Sequence, residues 1–160
     1  MSDPQVVVDI EIEAPISSVY AAVSDPRNYG RWSPEATGAV LSGDLPLRVG
    51  DRFTGKSKLW VKWSGHCVVV KADKEEAFAF EVKVGGILIS RWTYETASIS
   101  DNSTRVTEKW DDLRAGFSGA LIRPSGIFVG RGSDASVRNA LTMAQTLDAM
   151  KADLEPRTGN

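Results

Sequence analysis

Glu108 is the residue in this sequence best placed to do chemistry. It lies between two apolar residues at alternate positions, Val106 and Trp110, in the run Thr104-Arg105-Val106-Thr107-Glu108-Lys109-Trp110. Side chains two apart on a strand share a face, so the carboxyl is expected on the apolar side. A carboxyl desolvated there has a raised pKa unless it is paired. It could act as a general acid or base, or anchor a ligand hydroxyl. Tyr94 is the second candidate for moving a proton, on a face shared with Trp92 and Thr96. The competing reading makes Glu108 a structural acceptor, held by Tyr94 or by a helix residue such as Arg138.

Other reactive combinations fail on spacing. His66 and Cys67 are adjacent in a predicted strand, so their side chains point to opposite faces and form no nucleophile–base dyad. Asp111-Asp112 fails as a carboxylate pair for the same reason. One His and one Cys leave too few soft ligands for a zinc site and none for a disulfide framework. Gly130-Arg131-Gly132-Ser133 before a helix lacks the spacing of a phosphate-cradling loop. With 19 Lys+Arg against 21 Asp+Glu and a net charge of −2, no basic footprint for nucleic acid is expected.

These residues need a scaffold. Val6, Val8, Ile10 and Ile12 alternate in a first strand over residues 5–13. Pro15 opens a helix to Ser24 with Ile16, Val19, Tyr20 and Val23 at helical spacing. Asp25-Pro26 reads as cap and first residue of a second short helix, which Gly30 closes. Six strands follow in meander, over residues 37–41, 51–60, 63–73, 77–84, 87–100 and 104–114, with Gly85-Gly86 as a hairpin signal. Residues 133–155 form a long helix with an apolar stripe of Val137, Ala140, Leu141, Ala144, Leu147, Met150 and Leu154. The fold class is α+β: a curved antiparallel sheet of about seven strands, whose apolar face only the terminal helix is long enough to cover. Residues 1–160 read as a single domain.

Five Trp, five Phe and three Tyr must be placed in that architecture. One helix cannot fill the concavity of a long curved sheet, so a lined cavity is expected between them. Its wall is expected to hold Trp32, Phe53, Trp63, Phe78, Phe80, Trp92, Tyr94, Glu108 and Trp110 from the meander side. Tyr20 reaches it from the first helix, and Leu141, Ala144 and Leu147 from the last. Residues 115–132, with five glycines, are long for a connection and read as a lid, a kinked helix start or a dimer contact.

The chain resembles the polyketide cyclase/dehydrase family of the START-like (SRPBCC) superfamily, which has the helix-grip fold. The likeness rests on Ala14-Pro15 with Val19-Tyr20, Ser24-Asp25-Pro26-Arg27-Asn28-Tyr29-Gly30-Arg31-Trp32-Ser33-Pro34, Val49-Gly50-Asp51-Arg52-Phe53, Phe78-Ala79-Phe80, Arg91-Trp92-Thr93-Tyr94-Glu95 and residues 104–110. It implies a cavity for a hydrophobic or amphipathic small molecule, with no obligatory cofactor. It also aligns Cys67 and Val69 inward, leaving His66, Val68 and Val70 outside.

Three functional readings follow. The first is a carrier or sensor for a lipid, polyketide or aromatic metabolite. The second is a polyketide cyclase or dehydratase using Glu108 or Tyr94. The third is a dimeric regulatory protein with a filled core, using exposed Val68 and Val70. With no basic or apolar leader and no run of about 18 apolar residues, a cytoplasmic protein without an integral membrane segment is expected.

Overall fold

The computed structural model describes residues 6–58, 62–114 and 132–157, with side chains from residue 137 onward in the last segment. Strand β1 (Val6–Ile12) leads through Pro15 into α1 (Ile16–Val23), a 3-10 turn (Pro26–Asn28) and α2 (Tyr29–Trp32). Six strands follow: β2 (Ala36–Leu41), β3 (Arg52–Lys58), β4 (Lys62–Asp73), β5 (Ala77–Val84), β6 (Ile87–Ser100) and β7 (Ser103–Asp112). Helix α3 (Gly132–Leu154) ends the fold. The loop expected to be a lid, helix start or dimer contact lies, over residues 115–131, outside the described residues.

All seven strands form one antiparallel sheet in the order β1-β7-β6-β5-β4-β3-β2, the expected helix-grip arrangement. Sequential hairpins build β2 to β7, and β1 docks beside β7 with Val8 opposite Glu108 and Ile10 opposite Val106. Register shifts at Ala36/Gly38, Val69/Lys71, Val82/Lys83 and Ser98/Ser100 each add a local bend, so the sheet curves. Gly85 and Gly86 turn the β5–β6 hairpin with φ of 58° and 81°, which glycine adopts without a Cβ penalty.

The core fills one end of the concave face. Phe78, Ile12, Val19, Val23, Val69 and Val106 are fully buried there with Leu147 and Met150 of α3. Full burial of each large side chain stabilises the fold by about 1.5–3 kcal/mol. Polar ties hold α3 in place. The Trp32 Nε1–H donates to Asp153 at 2.9 Å, Lys151 Nζ donates to the Glu11 carbonyl at 2.8 Å, and the Glu13 amide donates to Glu155 at 3.0 Å.

Two local expectations change. Gly30 does not close the second helix but sits inside α2. A Cβ there would meet the Thr37 carbonyl carbon and oxygen at 2.9 Å, so glycine lets α2 lie directly on the β2 backbone. Asp25 does cap, its carboxylate accepting the Arg27 amide at 3.1 Å. Val68 and Val70, expected to be exposed, are half-buried.

Candidate functional site

The other part of the concave face is a cavity of about 150 Å³, many times the roughly 10–15 Å³ that one water needs on the same measure. Strand alternation sets its wall. Trp92 and Trp110 are directly opposed across β6 and β7, their ring centroids 6.5 Å apart. Phe80 is opposite Trp92 on the next strand, and its ring meets Phe53 edge-on at 5.1 Å. Trp63, Val82, Ile89 and Met143 extend the apolar lining. Across β2, β3 and β4 the floor changes character: Ala39 pairs with Gly55, and Gly55 with Gly65, all three lining the cavity.

The polar end is built on one cross-strand pair. Tyr94 and Glu108 are opposed on β6 and β7, and the Tyr94 hydroxyl donates to Glu108 Oε1 at 2.9 Å. Glu108 is 2% exposed, and its Oε2 has no hydrogen-bond partner among the described residues. Burial pushes the carboxyl up to about 8, against the opposing effect of the Tyr94 hydrogen bond. The carboxyl is therefore largely protonated at neutral pH. The Tyr94 phenol is held well above its ordinary range, first by burial and then by the proximity of Glu108.

Tyr29 completes this end, a residue the aromatic count in the strands did not single out. The turn begun by Asp25-Pro26 delivers it from α2, and its hydroxyl donates to the Val23 carbonyl at 2.6 Å. Its ring stacks on Phe80 at 5.8 Å and lies 5.6 Å from Tyr94. The signal was present in the cap–proline pair, which fixes where the next turn of helix points.

On the helix side the cavity is lined by Arg138, Asn139, Thr142, Met143 and Thr146. Arg138 pairs with Glu35 at 3.3 Å, and the Thr142 hydroxyl donates to the same carboxylate at 3.3 Å. Arg114 lies at the end of β7, its guanidinium doubly bonded to Asp112 at 2.8 and 2.6 Å.

Of the residues expected in the wall, Phe53, Trp63, Phe80, Trp92, Tyr94, Glu108 and Trp110 come together around this cavity. Tyr20, Trp32, Phe78 and Leu147 are buried in the packed core outside it. Trp32 is turned away by its bond to Asp153. Ala144 is half-buried and off the lining. Leu141 is corrected outright: it is 63% exposed, as Val137 is at 64%, because the cavity-facing stripe of α3 runs through Asn139, Thr142, Met143 and Thr146. Cys67 lines the cavity and His66 faces out. Burial pushes the Cys67 thiol up to about 12, so it is no nucleophile at neutral pH. Among the described residues no three His, Cys, Asp or Glu cluster as a metal site, and no helix is long and apolar enough to cross a membrane.

Residues 3–155 match the family described as polyketide cyclase / dehydrase and lipid transport. An uncharacterized protein of Mycobacterium tuberculosis, Rv0088, is 30% identical over 112 residues, covering 67% of this chain and 47% of that protein. The chain thus spans about half the length of the curated relatives it matches. Among solved structures, a START superfamily protein from Mycobacterium smegmatis superimposes with a TM-score of 0.67 at 13% identity, over 93% of this chain and 95% of that one. The Polyketide_cyc-like protein Cgl2372 from Corynebacterium glutamicum gives 0.56 at 24% identity, over 97% and 91%. These structural likenesses speak for the START-like fold, and the match over residues 3–155 speaks for membership. On the match over residues 3–155 this chain belongs to the polyketide cyclase/dehydrase and lipid transport family.

Proposed function

We propose that the protein binds a largely apolar small molecule, such as a lipid, polyketide or aromatic metabolite, in the cavity between sheet and α3. It acts as a carrier or sensor in the cytoplasm, where its single free thiol, Cys67, stays reduced. The observation that carries this reading is the lining: aromatic and aliphatic over most of its area, with polar groups gathered at one end. Apolar contact supplies affinity at about 25 cal/mol per Å² before the costs of association, and the polar end sets orientation. A filled core, which the regulatory-dimer reading requires, is at odds with such a cavity.

The test is native mass spectrometry of the purified protein, looking for a co-purifying small molecule, together with titration by the neutral probe N-phenyl-1-naphthylamine. Trp63, Trp92 and Trp110 line the cavity, so saturable binding quenches their emission, and a bound metabolite competes. No retained molecule and no saturable quenching would remove the reading.

The Glu108–Tyr94 pair favours a second reading, a cyclase or dehydratase in which the neutral carboxyl protonates a substrate oxygen. Such a reaction also needs a base, and the Cys67 thiol and the Tyr29 and Tyr94 phenols are all held protonated by burial. Turnover of a ketone chain abolished by Glu108→Gln, with binding retained, would decide for this reading.

A further inference from the structure

We propose that the cavity selects ligands bearing a carbonyl oxygen, held as a hydrogen-bond acceptor by the protonated Oε2 of Glu108, with the apolar body of the ligand lying over the side-chain-free floor at Gly55. The inference rests on the binding function proposed above and names the chemistry of what is bound.

The argument is one of hydrogen-bond inventory. The Tyr94 hydroxyl already donates to Oε1, so the carboxyl proton belongs on Oε2. Glu108 lines the cavity, its Oε2 has no partner among the described residues, and the residue is only 2% exposed. Leaving a buried donor unpaired is costly, and a protonated carboxyl oxygen asks for an acceptor. Tyr29 does not supply it: its hydroxyl donates to the Val23 carbonyl and is not a partner of Oε2, which has none among the described residues. Val8, opposite Glu108 on β1, is apolar. The acceptor therefore comes from what fills the cavity: water when no ligand is bound, and in the complex a carbonyl oxygen, which replaces that water without bringing charge into an apolar wall.

The floor sets the shape. From β7 to β3 there are four inter-strand steps in the sheet order, roughly 19 Å measured along the curved surface at about 4.8 Å per strand. A carbonyl at Glu108 thus leaves an extended or fused-ring body to cross Trp92 and Phe80 and end over Gly55. There only the Cys67 sulfur comes within 4 Å of where a Cβ would stand, which leaves room for a flat apolar group, while Val82 and Trp63 cover Gly65.

The two cavity arginines are already paired: Arg138 from α3 with Glu35 and Arg114, just beyond β7, with Asp112. Lys56 of β3 also lines the cavity, with its side chain exposed to solvent. The other titratable groups near Glu108 are the phenols of Tyr94 on β6 and Tyr29 on α2 and, further along the lining, the Cys67 thiol on β4, all raised by burial. Loss of the Glu108 proton turns Oε2 from donor to acceptor, so carbonyl recognition fades as that carboxyl ionises.

The experiment compares two matched fluorophores on the intact protein: 6-propionyl-2-(dimethylamino)naphthalene, a ketone, and its 6-propyl counterpart, which lacks the acceptor. Affinities are measured from pH 6 to 9.5 for the wild type, Glu108→Gln and Glu108→Leu. The ketone is expected to bind the wild type about three- to tenfold more tightly than the propyl compound at pH 6, with the preference lost by pH 9.5. Glu108→Gln, whose amide still donates, keeps the preference at every pH. Glu108→Leu binds both compounds alike. Equal, saturable binding of both by the wild type at all pH values overturns the carbonyl assignment and leaves the binding function standing. If neither compound binds saturably at any pH, the binding function and this inference fall together. Should a leucine at 108 prevent folding, the wild-type pH profile against that of Glu108→Gln decides the matter.

Discussion

The Tyr94 hydroxyl and Glu108 Oε1 are 2.9 Å apart because the two residues face each other directly across β6 and β7. The backbone ladder, not a flexible loop, sets the distance. This one-sided pairing satisfies half of a buried carboxyl. The tyrosine's donation favours the ionised form, but burial outweighs it, and the carboxyl is pushed up to about 8.

Stability should therefore fall as pH rises. In the unfolded chain Glu108 loses its proton near its ordinary value of 4.5, while in the folded protein it holds the proton until about 8. Between those values the folded state binds more protons than the unfolded state, so each step up in pH favours unfolding. The penalty is absent below pH 4.5, grows through the window and levels off above pH 8. Each tenfold difference in proton affinity between the two states is worth about 1.4 kcal/mol, so the full penalty is about 5 kcal/mol at most. Urea unfolding from pH 5 to 9 should show this decline in the wild type, and Glu108→Gln should remove most of it.

Trp32→Phe should loosen the seat of α3. The indole N–H reaches Asp153 at 2.9 Å from a ring only 4% exposed, and phenylalanine drops both the donor and one of the two fused rings. A loss of about 1–3 kcal/mol is expected, read as a lower Tm. Probe affinity should change little, since Trp32 is not in the cavity wall. A large loss of affinity with unchanged Tm would show that the indole reaches the ligand.

Much of this fold was legible because strand alternation and capping are local. The Val6–Ile12 and Val106–Trp110 alternations point their side chains inward whatever the partner, and Asp25-Pro26 starts its turn with no help from the rest of the chain. The helix face was harder. Leu141 and Val137 continue the apolar period of Leu147 and Met150, yet α3 runs out over the cavity at that end. What a cavity with a polar end needs there is Asn139, Thr142 and Thr146, which a count of apolar residues passes over. Gly55 and Gly65 were hidden for a different reason: a side-chain-free floor requires small residues to meet across strands, and register is fixed only by the assembled hairpins.

The two floor glycines should answer differently to the same substitution. A Cβ on Gly55 meets only the Cys67 sulfur, at 3.6 Å, an ordinary contact, whereas one on Gly65 meets Val82 Cγ1 at 2.7 Å. Gly55→Ala should leave stability within about 0.5 kcal/mol while weakening N-phenyl-1-naphthylamine binding by taking space from the cavity. Gly65→Ala forces Val82 to move and should cost about 1–3 kcal/mol. Thermal melts and probe titrations on both variants check this, and equal destabilisation would mean the strands adjust together.

The division of α3 into a core half and a cavity half can be tested with leucines alone. Leu147 is 1% exposed, in the same buried cluster as Ile12, Val19 and Met150, and Leu141 is 63% exposed. Leu147→Ala leaves a hole in packed surroundings and should cost about 2–5 kcal/mol. Leu141→Ala, away from the core and off the cavity lining, should stay within about 0.5 kcal/mol with probe affinity unchanged. If Leu141→Ala instead weakened binding several-fold, the helix would have to turn by about 100° per residue position to bring that side chain inward. Asn139 and Thr142 would then leave the cavity, and the polar lining contributed by α3 would be lost.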